Sequence, residues 1–147
     1  MPNSFYREIV NDHNLRPLHM GMPENANRER RGLNPGCGDD LTLRLRVEDG
    51  IVRDGAFTGD GCAISRASAD MMLDLVIGKS EAEARRLSAL FLRMIHGTLA
   101  PEEMDELEEA GALADVAHMP ARVKCAVLAW HTMDALLDGN DKEAEGK

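Results

Sequence analysis

The sequence predicts an α+β domain in which a small antiparallel β-sheet is covered on one face by a cluster of helices. Leu41-Thr42-Leu43-Arg44-Leu45-Arg46-Val47 alternates apolar and polar side chains, as a strand with one buried face does. Asp49-Gly50 is a hairpin turn, and residues 51–57 read as the antiparallel return strand. Downstream the period changes to that of helices, which places the helical mass after the sheet.

The elements follow in order. Residues 4–14 read as a short helix capped by Ser4, with Phe5, Tyr6, Ile9 and Val10 supplying its apolar side. Residues 15–34 hold prolines, glycines, asparagines and arginines with no sustained period, so they read as a long loop. Such a loop is unusual in a compact domain, which leaves room for a short edge strand inside it. After the hairpin, residues 64–77 form a helix with Ile64, Ala67, Met71 and Leu75 along one side and Gly78 at its stop. Ser80 and Glu83 then suggest a capping box for a helix running to about residue 96, followed by Gly97. Pro101 starts a short acidic helix through residue 109. Pro120 opens the last helix, with Val123, Val127, Trp130, Met133 and Leu137 on its apolar stripe. Residues 139–147 are polar and read as a frayed, disordered tail, so 1–138 is expected to be a single domain.

Composition narrows the function classes. At 147 residues the chain can bury one proper core but not two. Only 3% of it is aromatic, so Leu, Val, Ile, Ala and the nine methionines must fill that core. A net charge of −9 argues against nucleic acid as a partner. Arg28, Arg30 and Arg31, with Glu29 among them, read as a solvated loop, a protein-docking cluster being the alternative. No segment approaches a membrane-spanning run and no basic-then-apolar leader opens the chain, so a cytoplasmic protein without membrane contact is expected. Three cysteines in a reducing compartment suit metal binding or thiol chemistry better than a disulfide framework.

Those cysteines carry the chemistry. Cys37 lies in Asn34-Pro35-Gly36-Cys37-Gly38-Asp39, where flanking glycines let another molecule approach its sulfur and Asp39 can reach the same point. A tight turn with an incidental cysteine fits that stretch as well. Cys62 follows Gly59-Asp60-Gly61 and precedes the first turn of a helix, where free N–H groups favour a thiolate. It reads equally as a small buried hydrophobe. Helical spacing puts Cys125 near Ala129 and Arg122, flanking the apolar stripe and half-buried. Together with Asp39 the three thiols make a Cys3Asp set suited to a thiophilic metal, although no Cys-x-x-Cys pair is present. His118 and His131 are weaker ligand candidates, and His13, His19 and His96 read as ordinary surface or capping residues.

At the same residues the chain resembles the SufU-type proteins of iron–sulfur cluster assembly, relatives of the IscU/NifU N-terminal scaffold family. The stretches are Asn34 to Asp39, Thr58-Gly59-Asp60-Gly61-Cys62-Ala63-Ile64-Ser65-Arg66-Ala67-Ser68, and Ala121-Arg122-Val123-Lys124-Cys125-Ala126-Val127-Leu128-Ala129-Trp130. The opening Phe5-Tyr6-Arg7-Glu8-Ile9-Val10-Asn11-Asp12-His13 is similar too. The IscU pattern has a histidine where Lys124 stands, and residues 80–119 look like the helical insertion of SufU proteins; both features favour the SufU branch. Asp70 departs from the serine often found in relatives, with no functional consequence evident from sequence.

The resemblance implies a SufE/NifU-like fold and a zinc ion held by Cys37, Asp39, Cys62 and Cys125. It implies a pyridoxal-phosphate cysteine desulfurase of the SufS type as partner, with downstream iron–sulfur assembly proteins beyond it. A partner histidine would take over a zinc position and free Cys37 to accept sulfane sulfur. Asp39 would then be a labile oxygen ligand. Arg122 and Lys124 are expected either to orient anionic sulfur or to be plain surface charges. Two alternatives accompany this sulfur-carrier reading. One is a scaffold on which a transient iron–sulfur cluster is built; the other is a structural zinc domain that binds proteins.

Overall fold

The computed structural model describes residues 4–21, 23, 25–36, 38–138 and 144–145, with the backbone alone for 4–7 and 144–145. Helix α1 (Ser4–Leu15) comes first, then strands β1 (Arg28–Asn34), β2 (Asp39–Glu48) and β3 (Ile51–Asp60). Helices α2 (Ala63–Val76) and α3 (Glu81–Ile95) follow, then a short helix α4 (Pro101–Met104) that runs into a 3-10 segment, Asp105–His118. Helix α5 (Pro120–Leu137) and a two-residue strand β4 (Ala144–Glu145) complete the order. The sheet runs β3-β2-β1-β4, antiparallel except for the parallel pairing of β4 with Gly32 and Leu33.

The alternation in β2 does what the sequence predicts. Asp39, Leu41, Leu43, Leu45 and Val47 face inward, while the residues between them are partly exposed. Asp49 and Gly50 both have positive φ, 55° and 75°, the conformation of the hairpin turn their sequence suggests. Helices α2 and α5 cover the inner face, with α1, α3 and the 3-10 segment packed behind and beside them. The expected α+β architecture is therefore the observed one.

The long loop expected over 15–34 is largely structured. His19 and Gly21 exchange backbone hydrogen bonds of 2.9 Å with Phe57 on the edge of β3, and the last seven residues are strand β1. The arginine cluster sits on that strand rather than in a solvated loop. Arg28 pairs with Glu81, Arg31 with Asp40, and Glu29 with Arg44, its partner in the ladder. Cross-strand charges thus replace the apolar alternation that marks β2.

Two further elements differ from expectation. The acidic helix from Pro101 does not stop at 109: it continues as the 3-10 segment to His118, with a break at Glu108 (φ 50°, ψ −129°). Helix α5 is buried on most of its circumference rather than along one stripe, with every residue from Cys125 to Trp130 inside. Its Trp130 stacks on Phe91 of α3 at 4.1 Å between ring centres. The indole N–H donates to Ser68 Oγ (2.9 Å), which donates to the Ala126 carbonyl (2.6 Å), locking α5 against α2. That lock sets where Cys125 falls. Of the expected tail, Ala144–Glu145 forms β4, and the rest lies outside the described residues.

Candidate metal centre

Asp39 opens β2 and is the end of its inward-facing row, so the alternation that buries Leu41 buries a carboxylate here (2% exposed). A buried carboxylate is costly unless its oxygens find donors. Three are supplied. Cys62 N–H donates to Oδ1 (3.0 Å), Ser65 Oγ donates to the same oxygen (3.2 Å), and Asn34 Nδ2 donates to Oδ2 (3.0 Å). Among the described residues no Lys, Arg or His pairs with it.

Cys62 is the N-cap of α2, with extended backbone (φ −71°, ψ 170°) and no side-chain cap hydrogen bond. Its thiol is therefore not committed to the helix end. Gly61 before it has no room for a side chain, since a Cβ would lie 2.4 Å from Ser65 Oγ and 3.3 Å from Asp39 Oδ1. A glycine is needed here for close approach, which lets the strand-to-helix turn fold down onto the carboxylate.

Cys125 comes from the second turn of α5 and is 1% exposed, deeper than the half-buried position its helical spacing suggests. Burial pushes its thiol well above the ordinary range, and the neighbouring Cys62 and Asp39 groups add to that. One ligand atom each from Asp39, Cys62 and Cys125 lies within 4.8 Å of the others.

That donor set fits a thiophilic cation. Zinc–sulfur bonds of about 2.3 Å put sulfurs roughly 3.8 Å apart around a tetrahedral ion, a spacing the observed cluster accommodates. A positive ion would also neutralise a carboxylate that has no cationic partner among the described residues and favour the thiolate at Cys125. Cys37 lies outside the described residues. Its loop is a four-residue connection between Asn34 and Asp39, which are opposite each other at the end of the β1–β2 ladder. Gly38 N–H closes the loop onto the Asn34 carbonyl (2.9 Å). Among the described residues nothing lies within 4 Å of where a Cβ would stand at Gly36 or Gly38, so the flanks of the loop are open to them.

Arg122 and Lys124 are exposed on the first turns of α5. His118 is exposed and His131 half-buried, and neither belongs to the Asp39–Cys62–Cys125 group. His13 is not the surface or capping residue expected. It is 5% exposed and bridges Asp70 and Glu109, each at 2.6 Å. Asp70, far from inconsequential, is fully buried and also accepts the His19 backbone N–H (2.8 Å). Both line a cavity of about 580 Å³ between α1, α2 and the 3-10 segment that is separate from the thiol cluster. Asn34 and Ser65 escape the sequence reading. The signals for them were the parity of Asn34 with the strand that precedes it and the one-turn spacing of Ser65 from Cys62.

A helix-covered antiparallel sheet that converges two thiols and a buried carboxylate presents a donor set suited to a thiophilic metal. The chain belongs to the NifU-like N terminal domain family, whose model matches residues 5–138. It is 42% identical over 131 residues to the iron–sulfur cluster assembly scaffold protein IscU of Streptococcus pyogenes serotype M1, covering 89% of this chain and 81% of that protein. It is 35% identical over 132 residues to the zinc-dependent sulfurtransferase SufU of Bacillus subtilis, covering 90% and 88%. Among solved structures, a candidate scaffold protein for the SUF system from Fervidobacterium islandicum AW-1 superimposes with a TM-score of 0.84 at 34% identity, covering 90% and 96%. Among the described residues no helix is long and apolar enough to cross a membrane.

Proposed function

We propose that this chain is a zinc-dependent sulfur acceptor and carrier for iron–sulfur cluster biogenesis, working in the cytoplasm with a SufS-type pyridoxal-phosphate cysteine desulfurase. The observation that carries the reading is the convergence of Asp39, Cys62 and Cys125 from three distant stretches of chain. The relative named as a zinc-dependent sulfurtransferase supports it. Cys37, in the loop joining Asn34 to Asp39, completes the ligand set.

Zinc, when bound, is redox-silent and keeps the coordinating sulfurs as thiolates. The rest belongs to the chain. The open flanks of the Asn34–Asp39 loop give a donor protein access to Cys37. Its thiolate attacks the outer sulfur of the donor's cysteine persulfide. A new S–S bond forms at Cys37 as the donor's S–S bond breaks, the donor cysteine leaves as a thiolate, and the proton stays on the transferred sulfur. Cys62 and Cys125, one at a helix N-terminus and one buried, hold the other thiol positions. Asp39, its oxygens held by three donors, supplies the oxygen ligand of the set.

Native mass spectrometry with and without desulfurase and cysteine tests this reading. Wild type is expected to carry about one zinc, form a complex and gain one sulfur atom of mass, while Cys37→Ala gains none and no longer stimulates the desulfurase. Full stimulation by Cys37→Ala would overturn the assignment. A scaffold role, in which the same ligands hold a cluster as cargo, is favoured by the 42% identity to a scaffold protein. Lys124 in place of the scaffold pattern's histidine weighs against it. Anaerobic reconstitution followed by transfer to an apo-ferredoxin distinguishes the two, since only a scaffold yields a stable, transferable cluster.

A further inference from the structure

We propose that Asn34 is a positioning residue of the metal centre, which fixes the separation of two donors, Asp39 and Cys125, before any ion arrives. The inference rests on the metal-site reading above and goes beyond it to a side chain that is not a ligand. Asn34 is 3% exposed at the last position of β1. Its Nδ2 donates to Asp39 Oδ2 at 3.0 Å and to the backbone carbonyl of Lys124, the residue before Cys125, also at 3.0 Å. A carboxamide nitrogen has two hydrogens, and both are used.

The arrangement divides the work around Asp39. Cys62 N–H and Ser65 Oγ hold Oδ1 and tie the carboxylate to the start of α2. Asn34 holds Oδ2 and ties the same carboxylate to α5. Asn34 and Asp39 also face each other in the β1–β2 ladder, so the backbone fixes the root of the clamp and the amide fixes its tip. Strand and helix are already in close contact nearby, where a Cβ on Gly32 would fall 2.1 Å from Thr132 Oγ1. The amide therefore spans a gap whose width is set by packing. Without it, Oδ2 of Asp39 loses its donor while Oδ1 keeps Cys62 N–H and Ser65 Oγ, and the Lys124 carbonyl loses its link to β1. An ion would then have to order both.

Two measurements on the full chain test this. In the first, wild type and Asn34→Ala are compared by zinc competition with a chromophoric chelator and by the visible spectrum of the Co²⁺-loaded protein. The expected result is a loss of zinc affinity of roughly 10–100-fold, the range seen for partners of metal ligands. An altered Co²⁺ band pattern should accompany it, with the far-ultraviolet circular dichroism of the metal-free form unchanged. A folded variant that binds zinc within about twofold of wild type and gives the same Co²⁺ spectrum would overturn the proposal. In the second, the Asn34 side-chain amide is followed by NMR in the wild type, metal-free and zinc-loaded. Both protons should exchange slowly in both states; rapid exchange in the metal-free protein would overturn the proposal even if the variant fails to fold. If wild type itself binds neither zinc nor Co²⁺, the metal-site reading fails, a result separable from the loss of Asn34's role.

Discussion

His13 lies between two carboxylates, and its charge decides whether both are satisfied. Burial alone would lower its pKa, but hydrogen bonds to Asp70 and Glu109, and their negative charges, raise it above the ordinary 6.5. The titratable groups that line the cavity with it are Asp12 from α1, Arg16 just after that helix, Asp70 and Asp74 from α2, and Glu108 and Glu109 from the 3-10 segment. A His raised in the folded state adds stability that is complete below its unfolded pKa and fades as pH rises through the folded value. The stability difference between wild type and His13→Gln, from urea melts between about pH 5.5 and about pH 9, should therefore be largest at the acid end. There it should reach about 1.5–3 kcal/mol, as for hydrogen bonds to charged groups, and shrink with rising pH. A difference that grows with pH would contradict the bridge. None of this was legible in the sequence, because the partners of His13 lie 57 and 96 positions away. Asp39 was more accessible to reasoning: it shares the parity of Leu41, so the alternation that announces β2 also announces a buried carboxylate.

The elements divide by how they are stabilised. Strand β2 and helix α2 were visible because each carries its own apolar period, β3 because a hairpin turn precedes it, and α3 because Ser80 and Glu83 cap its start. Strand β1 (Arg-Glu-Arg-Arg-Gly-Leu-Asn) was foreseen only as a short edge strand somewhere within 15–34, because its order comes from backbone pairing and charges supplied by β2 and α3. The apolar stripe assigned to α5 was too narrow for a helix enclosed by sheet and helices together, which is why Cys125 is deeper than its spacing suggested. The break inside the 3-10 segment has a local cause, since Glu108 adopts a positive φ that side chains rarely tolerate. Such strain is worth about 1–3 kcal/mol, against about 0.5–1 kcal/mol for the extra freedom glycine gives the unfolded chain. Glu108→Gly is therefore expected to stabilise the protein by about 1 kcal/mol in a denaturant titration. A loss of stability would mean that the glutamate side chain itself holds the break.

Across the whole molecule, the candidate centre draws its donors from β2, the N-cap of α2 and the body of α5. An ion held there would link all three and so favour the folded chain. Zinc at 100 times its dissociation constant should add about 2.7 kcal/mol of stability, seen as a higher melting temperature that a chelator reverses. Cys125→Ser should blunt the response, and an identical zinc-dependent rise in that variant would place the ion elsewhere. The need for convergence also bears on synthesis. A polypeptide still leaving the ribosome displays Asp39 and Cys62 well before α5 emerges, so a nascent or prematurely terminated product lacks the Cys125 donor. A chain truncated before α5 is therefore expected to hold zinc more weakly than the full-length protein.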